Sequence, residues 1–159
     1  MIDREKGFSL IELLVVVAII LIIAAIAIPN FMRAKITANE SSAVSSVHAI
    51  DTAEITYSSV FNTIGYSAAL SDLGQGGTTP CPATPTASCF IDDVLASGTK
   101  SGYKFAYVQD ASATPSIGFQ LNADPVTANI TGQRGFYSDQ TNVIRAEPTA
   151  PAGAGSPPL

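Results

Sequence analysis

The chain has 159 residues, enough for about one domain, and sets 8 Lys and Arg against 13 Asp and Glu for a formal net charge of −5. That balance argues against general nucleic-acid binding, which needs a basic face to neutralise phosphates. Hydrophobic residues make up 47% of the chain but are concentrated: every residue from Leu13 to Ile28 is apolar, and between Phe8 and Ile28 only Ser9 and Glu12 are polar. The composition therefore describes one anchor followed by a modest Ser/Thr/Ala-rich domain, not a polytopic membrane protein.

Residues 1–7, MIDREKG, read as a short charged leader ending in glycine. At about 1.5 Å per residue, a helix from Phe8 to Ile28 spans roughly 31 Å, close to the hydrocarbon thickness of a bilayer. Lipid offers the backbone no hydrogen-bond partners, so the segment must be helical there despite its Ile and Val content. Pro29 follows. Proline removes a helical hydrogen bond and crowds the preceding turn, so it either ends or kinks the helix. The next residues favour the kink. Ile36, Ala43, Ile50, Tyr57 and Ile64 recur every seven positions, with Val47 and Phe61 as a second row, and no Gly or Pro falls between residues 30 and 64. This is a helix with one buried face. The expectation is a single helix over roughly 8–62, with Gly65 in its C-cap region.

Residues 65–100, with Gly74, Gly76, Gly77, Pro80, Pro82 and Pro85, read as a loop holding a short helical turn near Ile91–Ala96. Tyr103, Phe105 and Tyr107 alternate and so share one face of a strand, 103–108. Ile117–Leu121, Gly135–Ser138 and Val143–Arg145 read as further strands, with 139–142 as a turn; Val126–Thr131 is a weaker candidate. Such short connections favour antiparallel pairing. The expected fold is α+β: one long N-terminal helix packed through its amphipathic half on a small antiparallel β-sheet. The Pro/Gly-rich tail 147–159 is expected to be disordered.

Cys81 and Cys89 lie in TTPCPATPTASCF, far in sequence from His48, the lone histidine, and cannot make a four-ligand zinc site by themselves. A disulfide closing this short loop is the preferred reading, contributing about 2.5 kcal/mol by chain entropy and implying an oxidising compartment. A pair of reduced thiols is the alternative.

The sharpest feature is the junction Lys6-Gly7-Phe8-Ser9-Leu10-Ile11-Glu12-Leu13. A carboxylate inside an apolar membrane helix costs about 2.5–3.5 kcal/mol at the helix centre, less near its end, and is a functional candidate by default. Its bland alternative is a group at headgroup level facing water. Cleavage after Gly7 gives Phe8 a free amine four residues before Glu12, and positions i and i+4 are helix neighbours. Pairing the two charges, within a chain or between chains, offsets part of the cost of burying each.

KGFSLIELLVVVAII resembles the N-terminal signature of type IV prepilins and type II secretion pseudopilins, over about residues 4–30. The resemblance implies cleavage by a prepilin peptidase between Gly7 and Phe8, N-methylation of Phe8, and roles for Glu12 and Pro29 in assembly. It implies a leader at 1–7, a transmembrane and polymerisation helix at 8–29, and a globular domain at 30–146. The partners are then identical or related pilin subunits in a helical polymer, the prepilin peptidase, an inner-membrane assembly machinery and, before assembly, membrane lipid. The globular domain would lie outside the cytoplasm, finally in a surface pilus or a periplasmic pseudopilus. No cofactor, metal or nucleic acid is expected. Two departures stand out. Cys81 and Cys89 lie earlier than the C-terminal disulfide common in pilins. No ligand set emerges for the calcium site typical of major pseudopilins, since Asp124 and Asp139 are isolated and Asp92-Asp93 precede the sheet.

Three rivals are weaker. Ala25-Ile26-Ala27 resembles a signal-peptidase site, but the apolar run is long for a signal peptide. An anchored enzyme could use His48 near Asp51 and Glu54, yet no G-x-S-x-G motif or phosphate loop accompanies them. A DNA-contacting minor pilin is disfavoured by the acidic balance and by the scatter of Lys100, Lys104, Arg134 and Arg145. Arg4 and Lys6 before the span tie with Arg33 and Lys35 after it, so charge does not set topology.

Overall fold

The computed structural model describes residues 7–77, 80–81 and 83–159. Of the expected leader, only Gly7 lies within them; residues 1–6, and 78, 79 and 82 of the expected loop, lie outside. The chain divides into two compact units, residues 1–35 and 36–159. Helix α1 runs Leu10–Val60, with Pro29 inside it. The helix therefore continues beyond the proline, as the heptad pattern of residues 36–64 requires.

In the second unit α1 buries Ala43, Val47, Ile50 and Tyr57, the stripe read from the sequence. Past Val60 the chain turns through residues 61–64, and the Gly65 N–H donates to Phe61 O at 3.1 Å. Gly65 has φ +84°, the left-handed conformation that closes a helix end. A 3-10 turn, Leu70–Leu73, and a one-turn helix, α2, Asp93–Ala96, follow. Asp92 caps α2 by accepting from the Leu95 N–H at 2.6 Å, and its other carboxylate oxygen meets Lys100 Nζ at 2.8 Å. Cys81 and Cys89 are joined in a disulfide, with Cα atoms 6.4 Å apart. Their loop is tied to the helix where Tyr57 Oη donates to Pro85 O at 2.8 Å.

The sheet is a five-stranded antiparallel meander: β1 Thr99–Lys100, β2 Tyr103–Asp110, β3 Gly118–Pro125, β4 Gly135–Asp139 and β5 Arg145–Glu147, paired in that order. Its inner face brings Tyr103, Phe105, Phe119, Leu121, Ala123 and Phe136 against the α1 stripe. The alternation of aromatics in β2 is the pleat made visible.

Four expectations need correction. The last strand is Arg145–Glu147 rather than Val143–Arg145, because Ile144 is buried in the core before pairing with β4 begins. Val126–Thr131 is a turn, with Asn129 at φ +63°, and β1 was not anticipated. Finally, the tail is ordered. Residues 150–159 fold back over the outer face of the sheet and along β5, with Ala152 and Ser156 buried. Composition argued for disorder, but Asn122 Nδ2 donates to Ala152 O at 2.7 Å and Ala146 N–H to Pro157 O at 3.0 Å, so polar partners hold what apolar burial alone would not.

Three carboxylates on α1 point inward. Glu40 accepts from Arg134 Nε at 2.9 Å and from the Gln133 and Arg134 N–H groups. Glu54 is fully buried and accepts from the Ser67 N–H and Oγ; burial outweighs these bonds and raises its pKa. Asp51 accepts from Ser138 Oγ at 2.7 Å, its Oδ1 has no partner, and burial pushes its carboxyl up to about 6. Between pH about 4 and 6 the folded state keeps this proton while the unfolded chain releases it, so stability falls as pH rises through that window. Asp51→Asn is therefore expected to gain about 2 kcal/mol over the parent on going from pH 4 to pH 7.5. Urea unfolding of both proteins at the two pH values in detergent checks this; an equal difference at both would refute it.

Candidate functional site

The functional candidates cluster at the start of α1, where Ser9-Leu10-Ile11-Glu12 opens the helix. The Ser9 N–H donates to Glu12 Oε2 at 3.1 Å, and the Leu13 N–H bonds Ser9 O at 3.3 Å. The carboxylate thus turns back onto the first amide, one half of a capping box, and sets negative charge at the positive end of the helix dipole. The Ser-x-x-Glu spacing carries this signal. A reading of Glu12 by its cost in lipid alone passes over it.

Gly7 precedes the helix, and a Cβ added to it would meet nothing within 4 Å. Packing in the fold therefore places no demand for glycine here. Phe8 is 83% exposed. From Leu13 to Ile28 no side chain is buried, and the helix is long and apolar enough to cross a membrane by length and composition. An apolar surface of this extent needs a non-aqueous neighbour. Pro29, at the end of this run, has no N–H to give to the carbonyl four residues earlier, so that one α-helical hydrogen bond is not made.

The alternative catalytic constellation does not assemble. His48 is exposed, while Asp51 and Glu54 turn into the core, bonded to Ser138 and Ser67. The acidic residues considered for a metal are also spread apart. Asp92 caps α2, Asp139 Oδ1 accepts from the Thr141 N–H at 2.9 Å, and Asp124 lies on the outer face of β3. Among the described residues, no group of three or more His, Cys, Asp or Glu is placed to hold a metal ion.

Residues 2–28 match the family model described as the prokaryotic N-terminal methylation motif. The chain is 44% identical over 71 residues to the type IV major pilin protein PilA of Myxococcus xanthus, covering 40% of this chain and 32% of that protein. It is 39% identical over 51 residues to the type II secretion system core protein G of Escherichia coli, covering 32% of this chain and 35% of that protein. A fimbrial protein of Pseudomonas aeruginosa is 53% identical over 49 residues, 31% of this chain and 32% of its own. The chain thus spans about a third of the length of these curated relatives. No solved structure matches it.

Proposed function

We propose that this chain, whose residues 2–28 match the prokaryotic N-terminal methylation motif, is a structural subunit of a type IV pilus-like filament. The observation that carries the reading is the apolar start of α1. From Leu13 to Ile28 none of its side chains is buried among the described residues, yet it carries a carboxylate at its first turn. Such a helix is stable in lipid before assembly and among like helices afterwards. Identical or related subunits are then the natural second environment.

In this reading the prepilin peptidase hydrolyses the Gly7–Phe8 bond and the new Phe8 amine is N-methylated. A glycine that the fold does not need is well explained by a demand from the peptidase. The Phe8 ammonium then pairs with Glu12 of its own chain or of a neighbour, which fixes axial register. The globular unit lies outside the cytoplasm already before assembly, and the inner-membrane assembly machinery is a partner in building the filament. The outward exposure of His48 and the inward bonding of Asp51 and Glu54 to Ser138 and Ser67 support a subunit without enzymatic activity. The similarity to a type II secretion core protein favours one second reading, a periplasmic pseudopilin.

Mass spectrometry of sheared surface filaments and of membranes tests both. A mature N-terminus at methylated Phe8 in sheared filaments is the expected result. The same N-terminus confined to membranes selects the pseudopilin. A chain beginning after Ala27, or an uncut Met1, overturns the processing on which both depend.

A further inference from the structure

Residues 150–159 occupy a site with two parts. The first is the outer face of the sheet. Asn122 and Tyr137 are cross-strand partners there, and Tyr137 and Ala152 are each only 5% exposed. A Cβ on Gly135 would come within 3.0 Å of both Ala150 Cα and the Ala152 nitrogen, so the segment runs across a gap that only glycine leaves open. The second part is the free edge of β5. The Ala146 N–H donates to Pro157 O at 3.0 Å and the Leu159 N–H to Ile144 O at 2.9 Å, bracketing an antiparallel bridge between Arg145 and Pro158. Between the two parts, Ser156 Oγ donates to Glu147 and accepts from the Gly153 N–H, while Arg145 Nη1 donates to Ser156 O.

The central residue of such a bridge turns its own backbone groups away from its partner, toward the place a further strand would take. At that position stands Pro158, which has no N–H to offer. The segment therefore satisfies the β5 edge and does not pass a fresh donor outward, the way natural edges are blunted against pairing with other chains.

From these contacts we infer that the Asn122–Gly135–Tyr137 face and the β5 edge form a strand-accepting site for an extended, small-residue and proline-rich segment. The site is filled by the chain's own residues 150–159 and open to the same segment of a second copy when its own lifts away. The second copy is the occupant of choice because every contact just described is already complementary to that sequence. The segment is joined to β5 by only a few residues, so its local concentration is high and the site is normally closed. This inference goes beyond the filament reading and does not depend on it.

The test uses the full chain in detergent micelles, a chain ending at Glu147, and a fluorescein-labelled peptide of residues 148–159. Fluorescence anisotropy is expected to show saturable binding to the shortened chain, and binding to the intact chain at least about tenfold weaker. The peptide carrying Ala152→Asp should lose the binding, since Ala152 lies buried on the sheet. No binding by a shortened chain that keeps its circular dichroism spectrum, or equal binding by both chains, overturns the inference. Should the shortened chain unfold, the intact chain with Ala152→Asp and Ser156→Ala, which loosen its own segment and leave the accepting face unchanged, decides. Increased peptide uptake supports the site, and unchanged uptake overturns it.

Discussion

Glu12→Val is expected to leave cleavage and membrane insertion intact and to reduce surface filaments by well over tenfold. Insertion should not suffer, because valine removes the one charge in the apolar run and makes transfer into lipid easier. Assembly should suffer, because the Phe8 ammonium released by cleavage would enter a dry helix bundle without its partner. An uncompensated buried charge costs about 3–5 kcal/mol, and each 1.4 kcal/mol per subunit is already tenfold in an equilibrium constant. The structure adds a control, since Glu12 also accepts from the Ser9 N–H at 3.1 Å. Glu12→Gln keeps an acceptor for that amide and loses the charge. If Gln behaves like Val, charge pairing is the role of Glu12; if Gln assembles like the parent, the cap is. Normal filaments from Glu12→Val, counted by shearing and electron microscopy, would remove the assembly role altogether.

Gly65→Ala is expected to destabilise the globular unit by about 4 kcal/mol, enough to unfold many domains of this size. Two costs combine. The residue sits at φ +84°, where a Cβ costs roughly 1–2 kcal/mol. Its Cβ would also lie 2.1 Å from Ser116 O and 2.7 Å from the Ser116 nitrogen, which are backbone atoms that no rotamer change can move. Ser116 cannot retreat easily, because its N–H donates to Ile64 O at 2.8 Å and its Oγ to Asp110 O at 2.7 Å. Gly77 separates the two costs. It has φ +75° but nothing within 4 Å of its Cβ position, so Gly77→Ala should lose only about 1 kcal/mol. Urea unfolding of the three full-length proteins in detergent, followed by near-ultraviolet circular dichroism, reads the difference. Equal losses at the two glycines would mean that the close approach to Ser116 is not maintained in solution.

Periodicity was legible wherever one physical demand dominated. The unbroken run Leu13–Ile28 could be only a helix, because nothing else satisfies its backbone in lipid. The heptad of Ala43, Ile50 and Tyr57 marked the face that the sheet covers, and the alternation of Tyr103, Phe105 and Tyr107 marked the face that covers it. Glu12 stood out as a carboxylate in an apolar run, whereas the Gly7–Phe8 junction drew its meaning from the resemblance to prepilins.

Side chains whose surroundings come from distant parts of the chain were not legible. Nothing in the local pattern marks Glu40, Asp51 and Glu54 for burial, because their partners Arg134, Ser138 and Ser67 lie 94, 87 and 13 residues away. The last strand was placed two residues early, because only packing shows that Ile144 serves the core and Arg145 begins the pairing. Residues 147–159 read as disordered because their composition offers little to bury. Local pattern and solvent were enough for the long apolar helix and the helix-on-sheet class. Tertiary structure decided which carboxylates are buried and where the closing segment lies, since a burial cost is met only by partners that the folded chain brings together.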